Sequence, residues 1–455
     1  MRGCDLEANM WWVRCSLTAV ASCSLLAHPI LAQQRSSQTT TQVHYVDADD
    51  AGVSVDKHTS AVHLSRPPEN ETRFTSAVAD NTPSQKSSHD CTATGTTGLG
   101  FLNQFCSAQK GFWQLRDRHK QGGLQLTGHT QIGYHTEGTN GDGIPSSFND
   151  YPNRVQLHQQ WLTLQKATTG NGDFEWGFRM DWFYGTDGPD SQASDNAPGE
   201  WDEGWDHGGY YGHAIPQLFA EVAMGDTRIK GGHFFSPLGY ESVNSTQNFF
   251  YSHTYSMVKL PFTHTGVLAE HALKENLTIT AGWINGFNTA FPASGGSMAV
   301  LGTSATLRNG TVLNYTFAHG ELNPGDVARS YVHNIIVETQ LTDRLQSVFE
   351  SNLWTDNSDQ ADAEITLTQY LFWDFNDRIR LGVRSEWMDL GRAVEEFNAV
   401  TVGINYRAAE NLILRPELRV DNMHRDINNG INNGDIFTLS RRDSTVFSID
   451  AIWSY

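Results

Sequence analysis

The chain has 455 residues, and 31 Lys and Arg stand against 51 Asp and Glu, a formal net charge of -20. That balance excludes a nucleic-acid binder, which needs clustered cations for phosphate contacts. Mean hydropathy is -0.44 with 13 Trp, 14 Tyr, 23 Phe and 41 Gly; past residue 32 no apolar run approaches the roughly 18 residues of a membrane helix, which leaves a large soluble all-β protein or a transmembrane β-barrel.

Arg14 precedes an apolar stretch from Cys15 to Leu26, and Ile30-Leu31-Ala32 follows as a cleavage site. This is the shape of a secretory signal peptide over 1–32. Asp5 and Glu7 are unusual there and point to Met10 as an alternative start to Met1. Two other readings are a short helix of the mature chain and, from Val20 to Cys23, a lipoprotein box. Cleavage after Ala32 leaves Cys91 and Cys106 of the five cysteines. Export to an oxidising compartment makes a disulfide between them the expectation, and closing that loop contributes on the order of 3 kcal/mol. With no CxxC or nearby His pair, they make a poor metal site.

Residues 33–98 are rich in Ser, Thr, Asp and Gln and read as a disordered extension. Residues 99–122 form an apolar pre-barrel segment, a short helix or a partial plug. From 123 to 455 the texture changes to segments that alternate in polarity with period two, the mark of half-buried strands. Phe174, Trp176, Phe178, Met180, Trp182 and Tyr184 share one face, against Glu175, Gly177, Arg179, Asp181 and Phe183. Ile379, Leu381, Val383 and Trp387 alternate with Arg378, Arg380, Arg384 and Glu386. Leu412, Leu414, Leu418 and Val420 alternate with Arg415, Glu417 and Arg419, and Phe447 to Tyr455 repeats the pattern. About 16 strands are expected, of typical barrel-strand length. Segments 155–166, 265–273 and 298–308 alternate poorly.

The connections run long, short, long, short. Long ones cover 135–154, 185–214, 235–264 and 421–445; short ones include Gly225-Asp226, Asn309-Gly310 and Thr342-Asp343. A soluble sandwich has no reason for this asymmetry, whereas outer-membrane barrels have short periplasmic turns and long outer loops. Arg378, Arg380 and Arg384 facing lipid would each cost up to roughly 2–4 kcal/mol near the midplane. The charged faces must therefore line a lumen, and about 16 strands make it too wide for side chains to fill. The fold class expected is all-β, a transmembrane antiparallel up-and-down barrel spanning 123–455.

Residues Trp201 to Trp205 (WDEGW), Gln217 to Glu221 (QLFAE), GGHFFSPLGYESV (231–243), NFFYSHTYSM (248–257), PFTHTGVLAE (261–270), AGWINGFN (281–288) and ILRPELRVD (413–421) resemble the OmpL-like β-barrel porin family, beta-barrel porin-2. The resemblance covers the chain from about residue 100 to its C-terminus. It implies an outer-membrane channel for passive diffusion of small hydrophilic solutes or ions, in contact with outer-membrane lipid. A homo-oligomer, a trimer, is the candidate assembly, and the sequence leaves the oligomeric state open. The resemblance supplies no solute. A TonB-dependent-type or specific-solute transporter, and a soluble exported β-sandwich for binding or adhesion, are the alternatives; the segment before the first strand is too short and too polar for a folded plug.

In general 16-stranded porins the third outer loop folds inward, and the resemblance implies this role for 235–264. The sequence agrees independently. Phe249, Phe250, Tyr251, Tyr255 and Phe262 are costly to leave in water, and Pro237, Gly239 and Pro261 shape the turns. Glu241 is the loop's only acid and Lys259 its only base. The wall expected to face it carries Arg179, Arg228, Lys230, Arg378, Arg380, Arg384, Arg415, Glu417 and Arg419, so a mild anion preference is expected despite the negative net charge.

No GxSxG, HExxH or P-loop occurs past residue 32, and no catalytic or cofactor site is expected. His129 and His319 lie on strands without a nucleophile beside them. Asp187, Asp190, Asp195, Glu200, Asp202, Glu203 and Asp206 crowd the loop 185–214. Without EF-hand spacing they read as a solvated acidic loop that draws cations to the mouth, with calcium binding as the alternative.

Overall fold

The computed structural model describes residues 123–139, 148–168, 174–193, 201–203, 207, 210–291, 295–322, 330–356, 363–390, 395–426 and 439–455. The signal segment, the extension, the pre-barrel segment and the Cys91–Cys106 pair lie outside the described residues.

Sixteen strands follow one another in chain order: β1 (Gln125–His135), β2 (Val155–Lys166), β3 (Glu175–Gly185), β4 (Gly212–Met224), β5 (Thr227–Phe235), β6 (Thr263–Lys274), β7 (Leu277–Ile284), β8 (Ser297–Thr306), β9 (Val312–Glu321), β10 (Ser330–Thr342), β11 (Leu345–Asp356), β12 (Glu364–Asn376), β13 (Ile379–Asp389), β14 (Glu395–Ala409), β15 (Leu412–Asp426) and β16 (Leu439–Ser454). Each pairs antiparallel with its chain neighbours, and β1 pairs with β16 from His129↔Ser454 to His135↔Ser448, which closes the barrel. Closure leaves no open strand edge, which is what a lipid environment demands of a β-structure. Even-to-odd connections are tight, such as 225–226, 343–344 and 377–378, while every odd-to-even connection joins the strands at the opposite end.

The alternation seen in the sequence sorts by face. Ile132, Leu162, Val267, Ile279, Leu301 and Val383 point outward and are exposed. At the tight-turn end Trp176, Trp373, Phe375, Tyr406, Trp453 and Tyr455 stand exposed on the outer surface, and Trp283 does so at the other end. Apolar side chains banded by aromatic rings are the exterior of a membrane barrel.

Two strands run further than their hydrophobic pattern. Residues 421–426 of β15 and 439–446 of β16 extend the last hairpin past the apolar band. The sequence there, DNMHRD and LSRRDSTV, is mostly polar, so hydrophobic alternation vanishes while the backbone ladder continues. The poorly alternating segments have the opposite cause: apolar side chains stand on both faces. In β8, Met298 and Val300 are buried inside while Leu301 is 54% exposed outside. In β6 Leu268 is buried and Val267 is exposed; in β2 Trp161 is buried and Leu162 is exposed.

Candidate functional site: the inward loop and its wall

The connection 236–262 between β5 and β6 folds into the lumen. Its local structure follows from its sequence. Gly239 takes φ +94, a left-handed conformation that suits glycine, just after Pro237. Asn244 caps a 3-10 turn, Ser245–Gln247, accepting from the Thr246 N–H at 3.0 Å. Asn248 holds Ser242 from both sides, accepting from its N–H at 2.9 Å and donating to its carbonyl at 2.6 Å. Thr254 caps a single helical turn, Tyr255–Lys259, accepting from the Met257 N–H at 3.1 Å, and Pro261 follows its end.

The loop meets one side of the barrel through apolar packing. Leu238 and Leu260 join Phe219, Phe234, Leu268, Ile284, Met298, Val300, Ala318 and Val332, which come from β4 to β10. Cross-strand register puts Val332, Ala318, Val300 and Leu268 on one face with the inward-facing Lys230 and Glu221. The expectation of a polar lumen therefore fails on this side: the inner wall here is the floor on which the loop packs. Phe249 and Phe250 lie against Ile336, Val348, Tyr370 and Phe372. Gly382 and Gly403 make room for them; a Cβ on Gly382 would overlap the Phe249 ring, and one on Gly403 would lie 3.1 Å from Phe250. Gly133 does the same for Tyr251 on the facing wall.

The other side is polar. Arg384 Nη1 donates to Glu241 at 3.0 Å and to the Ser252 carbonyl at 2.7 Å, and its Nε lies 2.8 Å from Glu386. Arg415 pairs with Asp450, Nε to Oδ1 at 2.9 Å, and donates to the carbonyls of Ser245 and Asn248. Arg419 lies between Asp421 and Glu386, at 2.8 and 3.0 Å, and donates to the His253 carbonyl at 2.7 Å. Glu417 accepts from the N–H groups of Tyr251 and Ser252 at 2.8 and 3.1 Å. Lys259 pairs with Glu364 at 2.8 Å and remains partly exposed. Guanidinium groups also lie over loop or wall rings, Arg384 over Phe250 at 4.7 Å and Arg419 over Tyr255 at 5.0 Å.

On β2, His158 Nε2 lies 2.7 Å from Tyr251 Oη of the loop, and His158 Nδ1 lies 2.8 Å from Asp187. With Nδ1–H donating to the carboxylate, Nε2 is left to accept the phenol proton. Gln159 donates to the Val243 carbonyl and accepts from the Ser245 N–H. The loop thus touches inner-wall side chains on both sides of the lumen, and the wall arginines lie beneath it rather than in open water: Arg380, Arg384, Arg415 and Arg419 are 1%, 0%, 3% and 4% exposed.

Burial alone would push the Glu241 carboxyl up, but Arg384, His253 and the Thr254 N–H outweigh it and hold it down at about 2. In the loop between β3 and β4, burial raises Asp190 to about 7, with Asp150 adding to it, although Asp190 accepts from the Phe148 N–H. Burial raises Asp202 to about 7 as well, against the N–H groups of Ile215 and Ala193. Asp187, Asp190 and Asp202 are therefore tied to named partners, not solvated. Asp195, Glu200 and Asp206 lie outside the described residues. Among the described residues no group of three or more His, Cys, Asp or Glu is placed to hold a metal ion.

The remaining expected wall residues fall into three places. Arg179 pairs with Asp181 at 3.0 Å, Arg228 lies 3.9 Å from Glu221, and Lys230 sits 4.7 Å from the Phe234 ring centre. Arg380 faces inward, with Asp374 at 3.3 Å. Arg378 is not on the wall. Asn376 Oδ1 accepts from the N–H groups of Arg378 and Ile379, which ends β12 in a tight turn and leaves Arg378 exposed there. The sequence points to none of Asp421, Asp450, His158 and Glu350 as part of this site; it places Glu386 only on the polar face of its strand, and Asp187 only in a solvated loop. A signal existed for three: Glu386 and Asp421 stand two residues from an arginine on the same face, and Asp450 is directly opposite Arg415 in a hairpin.

Residues 123–455 match the family described as beta-barrel porin-2, OmpL-like. No curated protein matches the chain. Among solved structures, an anion-selective porin from Comamonas acidovorans aligns with TM-score 0.50 and 8% identity, covering 73% of this chain and 99% of that one. The trimer form of OmpT from Vibrio cholerae aligns with TM-score 0.48 and 11% identity over 74% of this chain and 100% of that one. The outer-membrane channel DcaP of Acinetobacter baumannii aligns with TM-score 0.47 and 11% identity over 73% and 97%. At 8% identity the likeness to the Comamonas acidovorans structure speaks to the barrel fold alone. A closed sixteen-stranded barrel with an apolar exterior, matched over its whole length by one porin family, places this chain in the OmpL-like beta-barrel porin-2 family, as a channel protein of the bacterial outer membrane.

Proposed function

We propose that the loop 236–262 sets the passage through this porin, and that small hydrophilic solutes or ions cross where the loop lies against the wall. The observation that carries this reading is the loop's double anchorage, on Leu268, Val300 and Val332 at one side and on Arg384, Arg415, Glu417 and Arg419 at the other. Pro237, Gly239, Glu241, Phe249, Phe250, Tyr251, Tyr255 and Lys259 belong to this constriction. The anion preference expected from a bare arginine wall does not follow from the arrangement. Arg384, Arg415 and Arg419 each have a carboxylate within 3.0 Å, so their fields largely cancel. Little ion preference is the better reading. Transport without catalysis is part of it, and so is a homotrimer, which chemical cross-linking in detergent tests.

Single-channel recording in planar bilayers tests the loop's role. Phe249→Ala with Phe250→Ala removes two rings that pack on Tyr370 and Phe372, and larger conductance steps are expected. Steps equal to those of the parent protein would place the passage elsewhere.

A further inference from the structure

The side chains beneath the loop satisfy its backbone as well as side chains such as Glu241 and Tyr255. Seven main-chain groups between residues 245 and 255 find their partners on β13 and β15. The carbonyls of Ser245 and Asn248 accept from Arg415, that of Ser252 from Arg384 and that of His253 from Arg419. In the opposite sense, the N–H groups of Tyr251 and Ser252 donate to Glu417, and that of Tyr255 donates to Glu386 at 2.9 Å. Guanidinium groups for carbonyls, interleaved with carboxylates for amide N–H groups, make a surface complementary to a peptide chain. Sugar hydroxyls also pair with guanidinium and carboxylate groups, but they do not carry the main-chain spacing that sets four C=O and three N–H groups on this wall. Beside this ladder the Phe249 and Phe250 rings occupy an aromatic recess formed by Tyr370 and Phe372.

We propose that this inner wall is a recognition surface for short peptides, and that residues 248–255 occupy it as a built-in substitute for the solute. The proposal rests on the reading of 236–262 as the element that sets the passage, and names the solute class. A peptide entering from outside competes with the loop for Arg384, Arg415, Arg419, Glu386 and Glu417, and each bond the loop gives up is replaced by one of the same kind. Exchange of like for like lets the loop yield without leaving buried charges unpaired, which a simple ion of one sign cannot do for guanidinium and carboxylate groups at once.

The test uses the full-length protein with residues 245–255 deleted, in planar bilayers, with refolding checked by its heat-dependent gel shift. Conductance should rise; if it does not, the reading of the loop fails and the proposal with it. An acetylated, amidated octapeptide of sequence NFFYSHTY is then added. Concentration-dependent block is expected. The same peptide with N-methyl groups on the amides matching Tyr251, Ser252 and Tyr255 keeps every ring and loses three donors, and should need about tenfold more or worse for equal block. No block by the octapeptide, or equal block by both, would overturn the proposal and leave the loop's role standing. Where the deletion does not refold, liposome swelling with the intact protein decides. Capped dipeptides should enter several times faster than sugars of equal mass, and equal rates would overturn the proposal.

Discussion

At the scale of single residues, charge pairing under the loop decides stability. Arg384 is fully buried and holds Glu241 and Glu386 at once. Arg384→Met keeps the volume, takes the buried Glu241 away from its guanidinium and leaves Glu386 with Arg419 alone. Breaking a buried pair this way costs roughly 3–5 kcal/mol, so the urea midpoint of the detergent-solubilised protein should fall clearly, and an unchanged midpoint would show that the pair contributes nothing. Acid does not mimic this change. Glu241 is held down at about 2, so its contribution is fully present above its ordinary carboxylate range and is lost only as pH falls toward 2. These pairings were only half legible in the sequence. Arg384 and Glu386 share a face by period two, and their adjacency could be read directly. Glu241 reaches Arg384 only because the loop is inside, and no spacing along the chain encodes a contact between residues 143 apart.

At the scale of elements, the loop 236–262 and the loop between β3 and β4 should respond to pH differently. In the loop between β3 and β4, Asp190 and Asp202 have carboxyls raised to about 7 by burial. A carboxyl raised on folding binds more protons in the folded loop than in the open one. Stability of the loop therefore falls as pH rises from the ordinary carboxylate range through about 7, and is lowest above it. Cleavage within 186–211 by a protease active across the range should become faster between pH 5 and pH 8, after correction for the enzyme's own profile. A flat rate would contradict the assignment. The strands were the most legible elements, since a lipid-facing side and a lumen-facing side impose period two on the residues. Legibility failed where the inner face is apolar too, as with Met298 and Val300, because packing against Leu238 and Leu260 replaces water there. It failed again in 421–426 and 439–446, where pairing outruns the apolar band.

At the scale of the whole molecule, the closed barrel is the frame and, on the proposed function, the loop 236–262 sets the passage. Single cysteines at Leu381 and Val383 should react with lipid-soluble reagents, because both face outward. A cysteine at Asn405, 1% exposed on the inner face, should react slowly with water-soluble reagents in the parent protein and quickly once 245–255 are removed. Fast labelling of both would mean that the loop does not shield the wall. That the third long connection packs on inner-wall side chains agrees with its aromatic content, since Phe249, Phe250, Tyr251 and Tyr255 are costly to leave in water. That it touches both walls was not legible, because this depends on the apolar inner face of β4 to β10. The most direct test of the account is single-channel conductance of the protein lacking 245–255, compared with the parent in the same bilayer and salt. The account predicts larger unitary steps with little change in reversal potential; steps of unchanged size would place the constriction outside this loop and contradict it.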